Sequence, residues 1–399
     1  MVPRNIPDWP SKELILKKKI AILWKIQDPG LYSNQPFDFL NMAIGHNNGN
    51  LAFVYAISRQ VDAEFHWVSW ATKAEVLNRY DAVLIPCANQ FGAHADLAGA
   101  ATIMEAVDKP VIAIGLGAQA DSLETEVRPK EGTVNWVKAI NARRFGSASN
   151  IYTRGPYTSQ QLARFGIDDT LVGGCPTHFI SHDVNLGRSL QAEWDSIPIP
   201  RSLSVCAGHQ GWGELRPIEQ QLIGLMMDPT AFGQYVVQAT GDMIKLSRGL
   251  FNDIDPTILE TLRLHTVPHY TMDEFKSWCR TYCRSFYDVP AWMDALTRYD
   301  LTIGPRYHGT QLAIQAAKMG CVVAFDSRTE EMCRQTGVPF LTKAQLAGQH
   351  LTRSNLKALI KFDGEAYDAQ RRERAQNYVS FLRNNGLEPR SHLLKIAGE

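Results

Sequence analysis

The sequence predicts an α/β protein made of two doubly wound domains facing a cleft. Three observations carry this. Short apolar runs alternate with amphipathic segments along both halves of the chain, the pattern of βαβ units around a mostly parallel sheet. The runs lack in–out alternation, as expected of strands covered by helices on both faces. A polar stretch at 182–200, ending in Pro198 and Pro200, separates two such series. At about 150 residues per domain, a chain of 399 residues suits boundaries of 1–190 and 191–399.

The first series reads as strand IAILWKI (20–26), a long loop, a helix from near Asn50 through LAFVYAISRQV, strand HWVSW (66–70) and helix KAEVLNRY. Strand DAVLIPCA (81–88), an Ala-rich helix over 94–107 and strand PVIAIGLG (110–117) follow. Helix 134–145, strand NIYTRG (150–155), helix 156–166 and strand TLVGGCP (170–176) complete it. In the second series RSLSVCAG (201–208) is a strand, and 214–227 and 229–240 read as helices. LTIGP (301–305) and CVVAFDS (321–327) are strands, each followed by a helix, and 344–385 forms a charged helical tail.

Composition narrows the function. With 41 Lys+Arg against 41 Asp+Glu the net charge is zero, so nothing draws the whole chain to nucleic acid or an anionic membrane. Any anion site must be local. Seven scattered cysteines read as reduced thiols of a cytoplasmic protein, not a disulfide framework. Lys17, Lys18 and Lys19 before IAILW imitate a signal peptide, but Lys25 and Asp28 interrupt the run. No run approaches the roughly 20 apolar residues of a membrane span. There is no G-x-S-x-G, no G-x-x-x-x-G-K-[ST] and no H-E-x-x-H, which removes support for a hydrolase triad, a P-loop kinase and a zincin.

The sharpest local signal is Gly304-Pro305-Arg306-Tyr307-His308-Gly309-Thr310, at the carboxyl end of a strand and opening a helix. Ligands of open α/β sheets bind there, and the helix N-terminus attracts anions. Arg306 adds a permanent cation, and His308 a donor able to move a proton near neutral pH. A capping His beside a solvent-facing Arg would read the same. Arg154 precedes Gly155-Pro156, where proline opens a helix, and would point over that N-terminus. Arg328 follows Asp326-Ser327 and could join Arg306 and His308 around one anion; Asp326 or Ser327 could equally be a cap. Gly115-Leu116-Gly117-Ala118-Gln119-Ala120 matches a dinucleotide loop in form, but neither a helix nor an acidic ribose partner follows, so a tight turn lining the cleft fits better. Asn47-Asn48-Gly49-Asn50 could offer amides to a sugar or phosphate, or cap a helix. His265, His269, Cys279 and Cys283 have an i,i+4 spacing suggestive of zinc, yet their order matches no common finger and the surrounding aromatics favour core packing. The site is expected to hold no metal.

Together, VIAIGLGAQ (111–119), YTRGPYTSQQLARFGI (152–167), VGGCPTHF (172–179) and IGPRYHGTQLAIQAAKMGCVVAFDSR (303–328) resemble the polysaccharide pyruvyl transferase family. The matches run in order over about 220 residues. Asn48-Gly49-Asn50 is similar to that family's N-x-G-D loop, with Asn50 where Asp is usual. The resemblance implies two Rossmann-like domains in a glycosyltransferase-B-like arrangement, the first on the acceptor side and the second carrying the donor motif. It implies phosphoenolpyruvate as donor substrate, no cofactor, and a sugar diol as acceptor in exopolysaccharide biosynthesis, giving a cyclic pyruvate ketal and phosphate. By position, Arg154 and His308 are the implied catalytic residues. Arg306, Arg328, Gly309, Thr310, Asn48, Asn50, Gly117 and Gln119 are the implied substrate-binding residues. His308, protonated, would act as general acid or bind the phosphate. Pro86-Cys87-Ala88 departs from a glycine run found in many members. Segment 228–295 matches no motif and is expected to hold acceptor specificity. A lipid-linked acceptor would bring peripheral contact at the inner face of the membrane; that and a homo-oligomer stay open. Two other readings stand beside this one: a glycosyltransferase using a nucleotide sugar, and a non-catalytic sugar- or anion-binding relative.

Overall fold

The computed structural model describes residues 17–399. Two six-stranded sheets form its frame. The first has β1 (Lys19–Leu23), β2 (Glu64–Val68), β3 (Ala82–Pro86), β4 (Val111–Leu116), β5 (Ile151–Thr153) and β6 (Leu171–Val172). Its spatial order is β2-β1-β3-β4-β5-β6, every pair parallel. Successive residues bury opposite faces. Ala21, Leu23, Val83, Ile85, Val111 and Ala113 enter one core; Ile20, Ile22, Ala82, Leu84, Ile112 and Ile114 enter the other. Both faces are covered, which is why these strands read as continuous apolar runs.

The second sheet has β7 (Leu203–Cys206), β8 (Gly233–Val236), β9 (Cys283–Arg284), β10 (Leu301–Gly304), β11 (Met319–Ala324) and β12 (Phe340–Thr342). Its order, β12-β11-β10-β7-β8-β9, is that of a dinucleotide-type doubly wound sheet, all parallel. The chain reverses its direction of travel between β7 and β10. A crevice opens beyond the carboxyl ends of strands at such a switch point. In the first sheet the reversal falls between β1 and β3. The two-domain Rossmann-like architecture expected from the sequence is therefore present.

Three expectations need correction. Segment 229–240 contains β8, not a helix. Tyr235 and Val236 are β-formers, and Gly233 passes so close to the Met226 carbonyl that a Cβ there would collide with it. The polar stretch 182–200 is not a bare linker: it folds into a helix, Leu186–Ser196. Leu186, Leu190 and Trp194 are buried along one side of it, the i, i+4, i+8 stripe of an amphipathic helix. Finally, the tail does not pack only within the second half. Its helix Gly364–Asn384 sets Ala375, Tyr378, Val379, Phe381 and Leu382 against Ile20, Ile22, Ile112 and Tyr152 of the first sheet. The buried Arg371 of that helix donates to the carbonyls of His178 (2.9 Å), Ser181 (2.6 Å) and Asp183 (2.5 Å), tying the interdomain crossing to the tail.

Candidate active site

The strand ends of the two sheets meet. At the second sheet, β10 ends on Gly304, whose φ of +151° and closeness to the Cys206 carbonyl exclude a side chain. The chain then turns through Pro305 and Arg306 into the helix Tyr307–Gln315. Arg306 lies across the switch point. Its guanidinium donates to the carbonyls of Gly208 (3.1 Å), Ala207 (3.4 Å) and Ala239 (3.4 Å) and stacks on the Trp212 ring at 4.6 Å. Burial, followed by the charge of Arg328, pushes its pKa down to about 10. Behind it sits a fully buried carboxylate, Glu219. Glu219 accepts from Gly208 N–H (2.9 Å) and Tyr235 O–H (2.5 Å), and His265 Nε2 lies 3.1 Å away. Burial alone would raise this carboxyl, but the bonds from His265, Tyr235 and Gly208 outweigh it and hold it below its usual range. Of the i,i+4 pairs weighed as zinc ligands, His265 faces Glu219, Cys279 and Cys283 lie in the core, and His269 is exposed.

At the first sheet, Arg154 leaves the end of β5. It is 2% exposed. Its Nε donates to Gly115 O at 2.8 Å and a terminal nitrogen to Cys87 O at 3.2 Å. Gly117 makes room for it, since a Cβ there would stand 2.9 Å from Arg154 Cδ. Burial lowers the guanidinium's pKa. Phe53, from the helix Gly49–Gln60, lies between the domains, 5.8 Å beneath the Arg154 guanidinium and 5.5 Å from the His308 ring.

Arg154, Arg306, His308 and Arg328 line one narrow cleft, together with Asn47, Asn50, Asn89 and Gln238. Arg328 pairs with Asp326 at 3.2 Å, while its buried Nε has no partner among the described residues. Asp326 also caps the helix Ser327–Thr336 through Thr329 N–H at 2.8 Å, so the cap and the cation occur together. His308 is held well below its usual pKa by burial, then by Arg154 and Arg328. The free protein therefore presents a neutral imidazole, not the protonated one expected. Three guanidinium groups line this space, a charge pattern that suits a small polyanion.

The remaining sequence-derived residues divide. Asn50 lines the cleft, its amide donating to Ile44 O and Gly45 O. Asn48 does not: it is fully buried and its amide donates to Phe286 O across the domains. Thr310 is inside the helix, donating to Arg306 O at 3.1 Å. Gly309 gives clearance, since a Cβ would come within 2.6 Å of Gln238 Nε2 and 2.8 Å of Cys206 Sγ. Gln119 stands behind Asn89, accepting from its amide. The turn 115–120 leads into no helix, which leaves it without a dinucleotide loop's helix N-terminus. Sequence reasoning missed Asn89 and Gln238. Asn89 follows the carboxyl end of β3 at the first sheet's switch point, a signal that was available. Gln238 was hidden by reading 229–240 as a helix.

The polysaccharide pyruvyl transferase family model matches residues 4–327. The chain belongs to this family. Members transfer to saccharides, and the four motifs quoted above all lie within or end beside the matched span. A search of curated proteins finds no significant match. Among solved structures, UDP-GlcNAc 2-epimerase of Methanocaldococcus jannaschii aligns at TM-score 0.43 and 9% identity, over 90% of this chain and 99% of its own. S. aureus MnaA, solved with UDP, aligns at 0.45 and 12%, over 93% and 99%. The Neisseria meningitidis UDP-GlcNAc 2-epimerase aligns at 0.42 and 11%, over 92% and 100%. No helix among the described residues of this pyruvyl transferase family member is long and apolar enough to cross a membrane.

Proposed function

We propose that this protein transfers the pyruvyl group of phosphoenolpyruvate onto two hydroxyls of a sugar residue, forming a cyclic ketal and releasing phosphate. The observation that supports it is the convergence of Arg154, Arg306 and Arg328 with His308 in one small cleft. Phosphoenolpyruvate carries a phosphate ester and a carboxylate on one carbon. Fixed guanidinium groups suit both, bidentately.

The methylene carbon gains a proton, and one sugar hydroxyl attacks the adjacent carbon and loses its proton. The carbon–oxygen bond to phosphate breaks as a second hydroxyl closes the ring, its proton leaving with phosphate. The balance closes with no oxidant, reductant or further cosubstrate. His308 is neutral in the free protein; a phosphate dianion beside it favours the charged form, which then has a proton to give. Arg154 and Arg306, held on strand-end carbonyls, stabilise charge without reorganising. Asn50, Asn89 and Gln238 line the same cleft and give it a polar wall suited to a sugar.

The test is phosphate release from phosphoenolpyruvate with and without a panel of saccharide acceptors. Release that needs a saccharide and yields a pyruvylated product supports the reading. Binding without release would leave an anion-binding relative.

A further inference from the structure

The motif VGGCPTHF leads to a contact that the reaction above leaves unused. After β6, Gly173 and Gly174 fold the chain back under β5, both N–H groups donating to Thr153 O at 3.1 Å. Gly173 presses on the Tyr152 ring, where a side chain would collide, and Gly174 has φ +98°. The turn delivers Cys175, 1% exposed, to the far side of His308. Its Sγ lies 3.5 Å from His308 Nε2. Thr177 Oγ1, in the turn Pro176–Phe179, donates to the same sulfur at 3.1 Å.

The Thr177 hydroxyl spends its hydrogen on sulfur. The thiol keeps one hydrogen to give, and His308 Nε2 is placed to accept it; the direction of that contact goes with the imidazole tautomer. A neutral imidazole accepting at Nε2 carries its hydrogen on Nδ1. Among the described residues Nδ1 has no protein partner and is not enclosed, and His308 lines the cleft. We infer that Cys175 is a positioning residue: the relay Thr177 Oγ1–H to Cys175 S–H to His308 Nε2 fixes the tautomer that presents Nδ1–H to the anion in the cleft. Burial keeps the thiol protonated, against the pull of Arg154. Fixing a ring through the hydrogen bond at its far nitrogen is a general device for setting which nitrogen faces the chemistry.

The inference rests on reading His308 as the residue that meets the donor, and the test separates the two. Nitrogen NMR of protein labelled with ¹⁵N-histidine, with His308 assigned by comparison with His308→Asn, reports the neutral tautomer directly. The wild type is expected to show Nδ1–H at His308. An Nε2–H signal there would overturn the proposal, whatever the enzyme does with phosphoenolpyruvate. Cys175→Ala is expected to mix the tautomers and lower kcat about tenfold, the worth of roughly one hydrogen bond, with KM for phosphoenolpyruvate little changed. Cys175→Ser keeps a donor and should restore both the tautomer and most of kcat. Equal loss in the Ser and Ala variants with the wild-type tautomer retained would reduce Cys175 to packing. An Nδ1–H signal in a protein that releases no phosphate would leave the tautomer standing and sink the donor reading alone.

Discussion

Glu331 of the second domain caps the first domain's helix at Thr158. One carboxylate oxygen accepts the Thr158 N–H at 2.9 Å and the other its hydroxyl at 2.8 Å. Glu331 reaches this place because Gly155 has no side chain; a Cβ there would collide with it. Ser327 adds a second tie, accepting from Ala120 N–H at 3.2 Å and donating to Ala120 O at 2.9 Å. Arg154 and Arg328 thus face one cleft from opposite domains, next to segments that these side-chain bonds tie together. Glu331→Ala would leave a buried N–H unpaired, at a cost of about 1–3 kcal/mol. We expect a lower Tm by calorimetry and a raised KM for phosphoenolpyruvate; a variant matching wild type in both would show that the tie does not set the cleft.

His308→Ala should lower turnover by about 10²-fold, the usual worth of acid–base assistance. Near-normal turnover would remove His308 from the chemistry. Because the free imidazole is neutral and a bound dianion favours its charged form, phosphoenolpyruvate binding should take up a proton near neutral pH. Calorimetric titration in buffers of different ionisation enthalpy reads that uptake, and it should vanish in His308→Ala.

The fold and the cationic half of the site were legible because both follow local rules. Strand ends carry Gly304-Pro305-Arg306 and Arg154-Gly155-Pro156, and each motif contains its own turn and helix start. What escaped depended on partners distant in sequence. Gln238 follows a strand whose short apolar run QYVV suits either a helix or a strand until its neighbours are known. Asn48 and Thr310 sit one turn or less from true cleft residues, and only the three-dimensional packing turns them inward. The tail's apolar residues are evident, but the sheet they cover, more than 200 residues away, is not.

Arg154→Ala should weaken phosphoenolpyruvate binding by tenfold or more, since charge-assisted bonds are worth about 1.5–3 kcal/mol each. Arg154→Lys keeps the charge but cannot hold Gly115 O and Cys87 O while meeting the ligand, so it should recover only part. Full affinity in Arg154→Ala would refute the assignment.

Glu219 never touches the cleft, yet it secures the Gly208 backbone whose carbonyl holds Arg306. Glu219→Ala should cost about 3 kcal/mol from lost bonds to a charged group and raise KM for phosphoenolpyruvate more than it lowers kcat. Denaturant unfolding and steady-state kinetics check the two halves.

His178 and His308 are both held neutral by burial, helped by Arg371 and Arg374 at His178 and by Arg154 and Arg328 at His308. Their folded pKa values lie below the unfolded value of about 6.5, so the unfolded chain binds more protons below that pH. Their contribution is complete above pH ~6.5 and is lost as pH falls below it, by up to about 1.4 kcal/mol per pH unit for each. Stability measured by denaturant should therefore decline from pH 7 to pH 5; a flat profile would mean that these rings do not stay neutral.

The most direct measurement is a side-by-side calorimetric titration of the protein with phosphoenolpyruvate and with UDP-sugars, repeated on His308→Ala and Arg154→Ala. Binding of phosphoenolpyruvate, weakened by Arg154→Ala and without binding of the nucleotide sugars, is the predicted result. Binding of a UDP-sugar with none of phosphoenolpyruvate would contradict a pyruvyl donor in this cleft and make it a nucleotide-sugar site.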